Sequence, residues 1–387
     1  MLKKPKMCFI TTSPVLSDLL LGICPSAMGG AELQQVLIAK ILMEMGCQVT
    51  FLVHDRGQPD EVYKEDGLRL IKAYRKTSLI GKLILSPYYF WRALKLADAD
   101  VYNQHAGGTM IGIMAFYCKL IKRPYVYAVS IDIDLDGTKE RNLNYLKRVI
   151  YRYGIFNATE ILVLTDHERE LLCKRFHREG FVIRLINLPD KLFEAETISL
   201  AETPSSQERR HILWVSSFRD HKHPELFVEL AARIPEQKFV MVGGPFPAHP
   251  ELFDVVKKQS EGLPNITLAG LVPYDKVGDY FDKAKIFVCT SAAEGFPNTF
   301  LQAWSRGVPV VSTFDPDTLI QRLGLGRYCR TLDEVEEAVR LLSTDNALRE
   351  SIGAKAIDYI KQNHHPDVIR DRYKELMRAL EENRKRF

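Results

Sequence analysis

The sequence predicts an α/β protein of two domains, each built on a doubly wound parallel sheet. The chain has 387 residues, more than one hydrophobic core usually supports, and 46% of them are hydrophobic. Short apolar runs rich in β-branched residues alternate with longer amphipathic segments, which is the pattern of βα units in parallel sheets. A polar stretch interrupts this alternation once, near the middle of the chain. We therefore expect two Rossmann-like domains facing a cleft, with ligands at the carboxyl ends of the strands.

The first predicted domain covers residues 1–195. Its clearest helix is Ala31–Met45, where apolar side chains recur near every 3.6 residues and Gly46 follows where a left-handed cap is expected. The predicted strands of this domain are Met7–Thr12, Gln48–Val53, Leu68–Ala73, Asp100–Asn103, Tyr125–Ser130, Glu160–Leu164 and Val182–Leu185.

A linker is predicted at 196–210, because this stretch is polar, contains Pro and Ser, and has no continuous apolar stripe. The alternation resumes in a second predicted domain, 211–365, and the amphipathic helix predicted in 366–387 is expected to rejoin the first domain. The predicted strands of the second domain are His211–Val215, Lys238–Val242, Ile266–Ala269, Ile286–Cys289 and Val308–Ser312. Its predicted helices are Pro224–Arg233, Pro250–Gln259, Lys276–Ala284, Asn298–Arg306, Leu332–Leu342 and Asn346–Gln362.

Composition places the chain among ordinary globular proteins, with 26% charged and 10% aromatic residues. The seven cysteines are scattered without a Cys-x-x-Cys pair, which favours a reducing compartment. No apolar run is long enough for a spanning helix, and the short apolar stretch near the start is typical of a buried strand rather than a signal peptide. We expect a cytoplasmic protein, with peripheral attachment at the inner face of a membrane as an open alternative.

Positive charge is concentrated in the first half of the chain. Residues 1–190 contain 26 Lys and Arg against 20 Asp and Glu. The segment 69–97 has seven basic residues, no acid and many aliphatic and aromatic side chains. Such a mixture could lie on an anionic membrane surface, or could form a helix that buries its apolar side and exposes its cations. A nucleic-acid partner is not expected, because no recognition motif accompanies the charge.

The first candidate site is the turn at Gly29 and Gly30, which opens the longest helix of the first domain. Glycine lets the backbone approach a ligand closely, and a helix N-terminus favours a phosphate. The pattern is neither a dinucleotide fingerprint nor an ATP-binding loop, and a turn without a ligand is the alternative interpretation.

The second candidate site contains Arg219 and Lys222, in the loop that follows the first strand of the second domain. Two cations at a strand's carboxyl end could neutralise a pyrophosphate and stabilise it as a leaving group. The alternative is that both are solvated loop charges.

The third candidate site begins at Glu294, at the end of a strand and just before a helix. A carboxylate there can accept hydrogen bonds from sugar hydroxyls, while backbone amides before the helix can hold phosphate or sugar oxygens. The residues expected to take part are Glu294, Gly295, Phe296, Pro297, Asn298, Thr299 and Gln302.

The run from Glu294 to Val311, EGFPNTFLQAWSRGVPVV, resembles the signature segment of the retaining GT-B glycosyltransferases of family 4. The resemblance extends over most of the chain, since Gly29–Glu32 is similar to the family's Gly-rich loop and Arg219 with Lys222 to its basic pair. It implies that Glu294 contacts the hydroxyls of the donor hexose, while the basic pair and the backbone after Glu294 hold the diphosphate.

Three departures from the family pattern are visible. Gln302 stands where the family usually has a second Glu, which commonly binds the donor ribose, and its amide can still donate and accept hydrogen bonds. Ser217 occupies the usual position of the Arg in the basic pair, so we assign Arg219 as its substitute. The segment 182–190 only loosely resembles the Asn-Gly segment of the family.

His105 and three aspartates are further candidates in the first domain. His105 ends a predicted strand before a Gly-rich turn, and the resemblance implies a His or Asp near the sugar, although a packed or solvated His is the alternative. Asp132, Asp134 and Asp136 also follow a strand end; they could orient an acceptor hydroxyl, bind a divalent ion, or serve only as turn residues.

The resulting expectation is transfer of a hexose or related sugar, with retention, from a UDP- or GDP-linked donor to a saccharide or lipid-linked acceptor, as in surface polysaccharide or glycoconjugate synthesis. No obligatory cofactor and no metal site are expected. A nucleotide-sugar epimerase on the same architecture and a non-catalytic sugar-nucleotide-binding protein are the alternatives.

Overall fold

The computed structural model describes residues 5–11, 13–23, 29–75, 79–187, 209–246 and 249–384. The chain forms two compact units. Unit 1 comprises residues 1–184 and 369–387, and unit 2 comprises residues 185–368. The predicted linker, 196–210, lies outside the described residues except for positions 209 and 210.

The described part of unit 1 contains a sheet of eight strands, in the order β3-β4-β2-β1-β5-β6-β7-β8. All neighbouring pairs are parallel except β3 with β4. The strands are β1 Lys6–Ile10, β2 Gln48–His54, β3 Glu61–Tyr63, β4 Arg69–Tyr74, β5 Val101–His105, β6 Tyr125–Ala128, β7 Glu160–Val163 and β8 Phe181–Val182.

Helices pack around this sheet and bury a core of aliphatic and aromatic side chains. The last helix belongs to unit 1 from residue 369 onward and contacts it through Arg372, which donates to the Val182 carbonyl at 3.2 Å. The helices whose residues lie wholly or mostly in unit 1 are α1 Pro14–Leu20, α2 Gly30–Glu44, α3 Leu79–Ala97, α4 Met110–Leu120, α5 Thr138–Arg141, α6 Tyr145–Asn157, α7 Asp166–Phe176 and α15 Pro366–Arg384.

The described part of unit 2 contains a second sheet of six parallel strands, in the order β11-β10-β9-β12-β13-β14. Its strands are β9 His211–Val215, β10 Phe239–Val242, β11 Ile266–Gly270, β12 Ala284–Cys289, β13 Val310–Ser312 and β14 Gly326–Tyr328. Its helices are α8 Pro224–Arg233, α9 Glu251–Ser260, α10 Tyr274–Asp282, α11 Asn298–Trp304, α12 Leu319–Leu323, α13 Leu332–Thr344 and α14 Asn346–Asn363.

The predicted fold class, α/β with two doubly wound sheets, is confirmed. Two strands were not predicted, β3 and β14, because each has three residues and too little sequence to show alternation. The strand predicted at Val182–Leu185 is wrong in its extent, since β8 ends at Val182. Beyond it the chain takes other partners: the Leu185 carbonyl lies 2.7 Å from Nδ1 of His364, which is fully buried.

The basic segment 69–97 forms β4 and α3. Four of its seven cations pair with three acids of residues 55–61, which neutralise part of its charge locally. These pairs are Arg69 with Glu61 at 2.7 Å, Lys72 with Asp55 at 3.1 Å, Arg92 with Asp60 at 2.9 Å, and Arg75 with Asp60. In the described part of the chain, no helix combines the length and apolar character needed to cross a bilayer.

Candidate active site

Two loops of unit 2 meet at the carboxyl ends of neighbouring strands. One follows β9, the other follows β12, and these strands are adjacent in the middle of the sheet. The sheet grows outward in opposite directions from this pair, which makes the β9/β12 position a topological switch point. In open parallel sheets the crevice at such a point is where ligands bind.

Lys222 and Glu294 contact each other across the two loops. The Lys222 ammonium donates to the Glu294 carboxylate, and Ser291 Oγ donates to the same oxygen, Oε1, at 2.7 Å. The two side chains of the pair are 14% and 16% exposed, so solvent reaches both but screens them only partly. The arrangement holds a cation and a carboxylate side by side at the strand ends.

Hydrogen bonds between the loops fix this geometry. Thr290 Oγ1 donates to the Lys222 carbonyl at 2.6 Å and itself accepts from Nε1 of the buried Trp214 at 3.0 Å. The Ala292 amide donates to the His221 carbonyl at 2.8 Å. None of these bonds uses the Lys222 ammonium or the Glu294 carboxylate, so they position the two residues without depending on the charged groups themselves.

Arg219 lies in the same loop as Lys222 but faces the loop after β10. Its guanidinium lies over the Phe246 ring, 3.9 Å from the ring centroid, a cation–π geometry. The two loops approach closely at Gly243, which has φ +150°, and a Cβ there would lie 1.8 Å from the Ser216 carbonyl oxygen. Only glycine fits this contact.

The segment after Glu294 divides into packing residues and partly exposed residues. Phe296 is buried, with its ring centroid 5.3 Å from that of His364, and Pro297 is also buried immediately before α11. Gln302 is buried on α11. Gly295, Asn298 and Thr299 are partly exposed around the start of the helix, where the first turn leaves N–H groups without intrahelical acceptors.

The predicted residues of unit 1 also lie at a carboxyl edge. His105 ends β5, and α2 begins at Gly30, directly after Gly29. The Glu32 carboxylate lies over Gly29 and accepts from Ser13 Oγ at 2.7 Å. Burial lowers the pKa of His105, while the Glu32 and Asp134 carboxylates oppose the shift. The neutral imidazole is therefore favoured at pH 7.

The three aspartates of unit 1 have separate partners. Asp132 lies 3.9 Å from His167, Asp134 is buried and accepts from Lys139 Nζ at 2.6 Å, and Asp136 accepts from the Thr138 amide. Among the described residues, no three His, Cys, Asp or Glu side chains come together in a way that could hold a metal ion.

A buried carboxyl, Glu168, was not predicted. It lies in the first turn of α7, where its Oε2 accepts from the Leu164 amide at 2.6 Å. The pKa of Glu168 is raised to about 8, mainly by burial and also by the nearby Asp132 and Asp134 carboxylates, and hydrogen bonds from the Leu164 and Thr165 backbone partly oppose the rise. The sequence did carry a signal, because Thr165 and Glu168 have capping-box spacing.

Other site residues were also missed by sequence reasoning. Phe246 and Gly243 belong to the Gly-Gly-containing loop after β10, and Ser291 precedes Glu294 by three residues. A Gly-Gly pair directly after a predicted strand was the available signal for the first two. Nothing in the sequence indicated that Ser291 orients Glu294.

The chain is similar in sequence to known glycosyltransferases. Residues 209–340, within unit 2, match the family described as glycosyl transferases group 1. Alpha-galactosylglucosyldiacylglycerol synthase of Streptococcus pneumoniae is 24% identical over 273 residues, covering 67% of this chain and 72% of that protein.

Solved structures share the fold over nearly the whole chain. Sucrose-phosphate synthase of Thermosynechococcus elongatus is similar with a TM-score of 0.75 and 17% identity, covering 98% of this chain and 99% of that chain. HepE of Anabaena, solved with UDP and glucose, is similar with a TM-score of 0.71 and 14% identity, covering 97% of this chain and all of that chain. The chain is therefore a glycosyltransferase of the GT-B fold, and the part of it that matches glycosyl transferases group 1 lies in unit 2.

Proposed function

We propose that this enzyme is a retaining transferase of family 4, which moves a hexose or related sugar from a nucleotide diphosphate sugar to a saccharide or lipid-linked acceptor. The observation that carries the proposal is the Lys222–Glu294 pair at the switch point of unit 2. A nucleotide diphosphate sugar presents a dianionic diphosphate next to a hydroxyl-rich ring. A lysine suits the diphosphate, and a neighbouring carboxylate suits the hydroxyls of the sugar.

Lys222 and Arg219 bind the diphosphate in this proposal. As the bond from the anomeric carbon to the diphosphate oxygen breaks, negative charge accumulates on the leaving group, and a fixed cation stabilises it more than it stabilises the bound donor. Arg219 supplies a second cation from the same loop, oriented by its contact with Phe246.

Glu294 binds the hexose by accepting hydrogen bonds from its hydroxyls. Ser291 holds the carboxylate in one orientation, and an oriented carboxylate fixes the ring relative to the leaving group. Gln302 is assigned to the donor ribose, and the backbone at Gly295, Phe296, Pro297, Asn298 and Thr299 to donor oxygens. His105, as a neutral imidazole, is assigned a hydrogen bond to the sugar, and Gly29 and Gly30 a close backbone approach to the donor.

The similar proteins support a particular donor base and a particular class of acceptor. UDP in the HepE structure supports a UDP-sugar over a GDP-sugar. The name of the Streptococcus pneumoniae relative, a glycosyldiacylglycerol synthase, supports a lipid-linked acceptor in glycoconjugate synthesis. We assign the acceptor to residues 1–195 with the helix in 366–387, and the donor to residues 211–365. No metal is assigned a role in this scheme.

A thermal-shift screen of UDP-, GDP-, ADP- and CDP-sugars tests the proposal, because a ligand that binds only the folded state raises Tm by mass action. We expect a UDP-sugar to raise Tm in the wild type, with a smaller rise in Lys222→Ala. Lack of any shift with all four classes would contradict the proposal. Conversion of the donor without an acceptor would instead favour an epimerase.

A further inference from the structure

Helices α4 and α6 of unit 1 pack directly against each other. They cross at two glycines: a Cβ on Gly112 would lie 2.1 Å from the Ile150 carbonyl oxygen, and one on Gly154 would lie 2.6 Å from the Gly112 nitrogen. Their C-terminal ends also stay together, since Lys119 Nζ lies 3.5 Å from Asn157 Oδ1. The two helices therefore form one continuous surface, which we call the α4–α6 face.

The α4–α6 face exposes large apolar side chains. Phe116 and Leu120 on α4 are 52% and 63% exposed, and Leu146 on α6 is 67% exposed. Single exposed apolar residues are common, but several of them on two helices packed against each other indicate an interaction surface. Including Ile121, which directly follows α4, the exposed large apolar residues of the face are Ile113, Phe116, Leu120, Ile121, Tyr145, Leu146, Val149 and Phe156.

The charge on this face is entirely positive. Residues 110–123 and 145–157 contain six Lys and Arg and no Asp or Glu. Lys119, Lys122 and Lys147 are exposed, and none of the ion pairs among the described residues involves them. Two of the six, Arg123 and Arg152, pair with acids outside the face, whereas in the basic segment 69–97 four cations pair with acids and the buried face of α3 joins the core.

We propose that the α4–α6 face docks on an anionic lipid bilayer. Apolar side chains between lysines match the acyl and phosphate layers of such a surface, in which aromatic and aliphatic groups enter the interface and cations remain at the headgroups. A second copy of this chain is a poor occupant, because the two faces would carry the same charge and no acid to pair with it. The proposal concerns membrane attachment and does not depend on which sugar the enzyme transfers.

A cavity beside the face could hold a lipid headgroup. Its volume is about 350 Å³, and Lys119 and Phe156 of the face line it together with Arg123. Arg123 pairs with Asp100 at 2.8 Å, which leaves Lys119 as the cation that a lipid phosphate would meet there.

Vesicle flotation of the full chain tests this proposal. We expect binding to vesicles of mixed phosphatidylglycerol and phosphatidylcholine, release by high salt, and little binding to phosphatidylcholine alone. Each cation removed near an anionic surface should lower the partition coefficient about fivefold. The variant Lys119→Gln/Lys147→Gln should therefore bind anionic vesicles about 25-fold more weakly than the wild type. The variant Phe116→Ser/Leu146→Ser should also bind the vesicles more weakly. It should lose the apolar part of the binding, which high salt does not release.

Matched controls lie elsewhere on the molecule. Leu271→Ser changes an exposed leucine of unit 2, and Lys95→Gln changes a cation of α3; both should bind as the wild type does. All variants should keep the wild-type Tm. Absence of wild-type binding to anionic vesicles at low salt would overturn the proposal, as would unchanged binding of the face variants. Self-association abolished by the face variants would instead identify a second copy as the occupant and equally contradict it.

Discussion

The carboxyl edges of the two sheets differ in the charge states of their side chains. At the edge of unit 2, Lys222 and Glu294 satisfy each other and remain partly open to solvent. At the edge of unit 1, His105 is held among the Glu32 and Asp134 carboxylates, and Glu168 is buried nearby with its pKa raised to about 8. The first edge presents a paired lysine and carboxylate, while at the second edge burial favours the neutral forms of His105 and Glu168.

This difference indicates different tasks for similar architecture. In the proposed function, a donor with a dianionic diphosphate needs permanent cations, and Lys222 and Arg219 supply them from a loop of unit 2 that hydrogen bonds hold in place. Neutral groups suit hydroxyls, which donate and accept hydrogen bonds without a full charge. We therefore expect substitutions at the unit 2 edge to affect chemistry most, and those at the unit 1 edge to affect positioning or stability.

The largest effect is expected for Glu294→Ala. In the proposed function this substitution removes the carboxylate that accepts hydrogen bonds from the hexose hydroxyls, and kcat/KM should fall on the order of 10²- to 10³-fold, as for other preorganised polar groups. Steady-state transfer assays measure this, with the exposed Glu261→Ala of unit 2 as a matched control that should retain full activity. Near-normal turnover of Glu294→Ala would remove the basis for the comparison.

A smaller effect is expected for His105→Ala. Loss of one hydrogen bond from a neutral imidazole should lower kcat/KM by roughly tenfold, and His105→Gln should recover part of it. Because the pKa of His105 is lowered below 6.5, protonation of this residue should affect kcat/KM only in acid, below that value. A pH profile between mildly acidic and neutral conditions checks this, and an acid limb that His105→Gln leaves unchanged would contradict the assignment.

The smallest effect on activity is expected for Glu168→Gln, which should alter stability instead. The folded-state pKa of Glu168 is raised from 4.5 to about 8, so its favourable contribution is complete below pH 4.5 and is lost as pH rises toward 8. The Gln variant does not titrate and can still accept from the Leu164 amide. Relative to the wild type, its free energy of unfolding should rise across this range by a few kcal/mol. Denaturant unfolding at several pH values measures the difference, and parallel curves would contradict it.

Much of unit 2 could be predicted from the sequence because its site is made of contiguous segments. The helix Pro224–Arg233 was predicted to the residue, and the recognition of a GT-B glycosyltransferase from the segment after Glu294 is confirmed. The direct contact between Lys222 and Glu294 could not be foreseen, since the two residues are 72 positions apart and meet only through strand order.

Unit 1 was harder to predict, because its candidate residues are not contiguous in the sequence. Its edge gathers single residues from separate helices and strands, among them Glu32, His105 and Glu168, and no short segment contains two of them. The basic segment 69–97 shows a further limit: its composition is visible in the sequence, but its pairing with Asp55, Asp60 and Glu61 depends on where strand β4 lies.

The most direct test of the central claim compares UDP with the UDP-sugar selected in the screen, by isothermal titration calorimetry on Lys222→Ala and Glu294→Ala. The account predicts that Lys222→Ala weakens binding of both ligands by about 10- to 100-fold, because it removes a charge-assisted contact to the diphosphate. It predicts that Glu294→Ala weakens binding of the UDP-sugar but leaves UDP binding unchanged. Unchanged UDP affinity in Lys222→Ala, or equal loss of both ligands in Glu294→Ala, would contradict it.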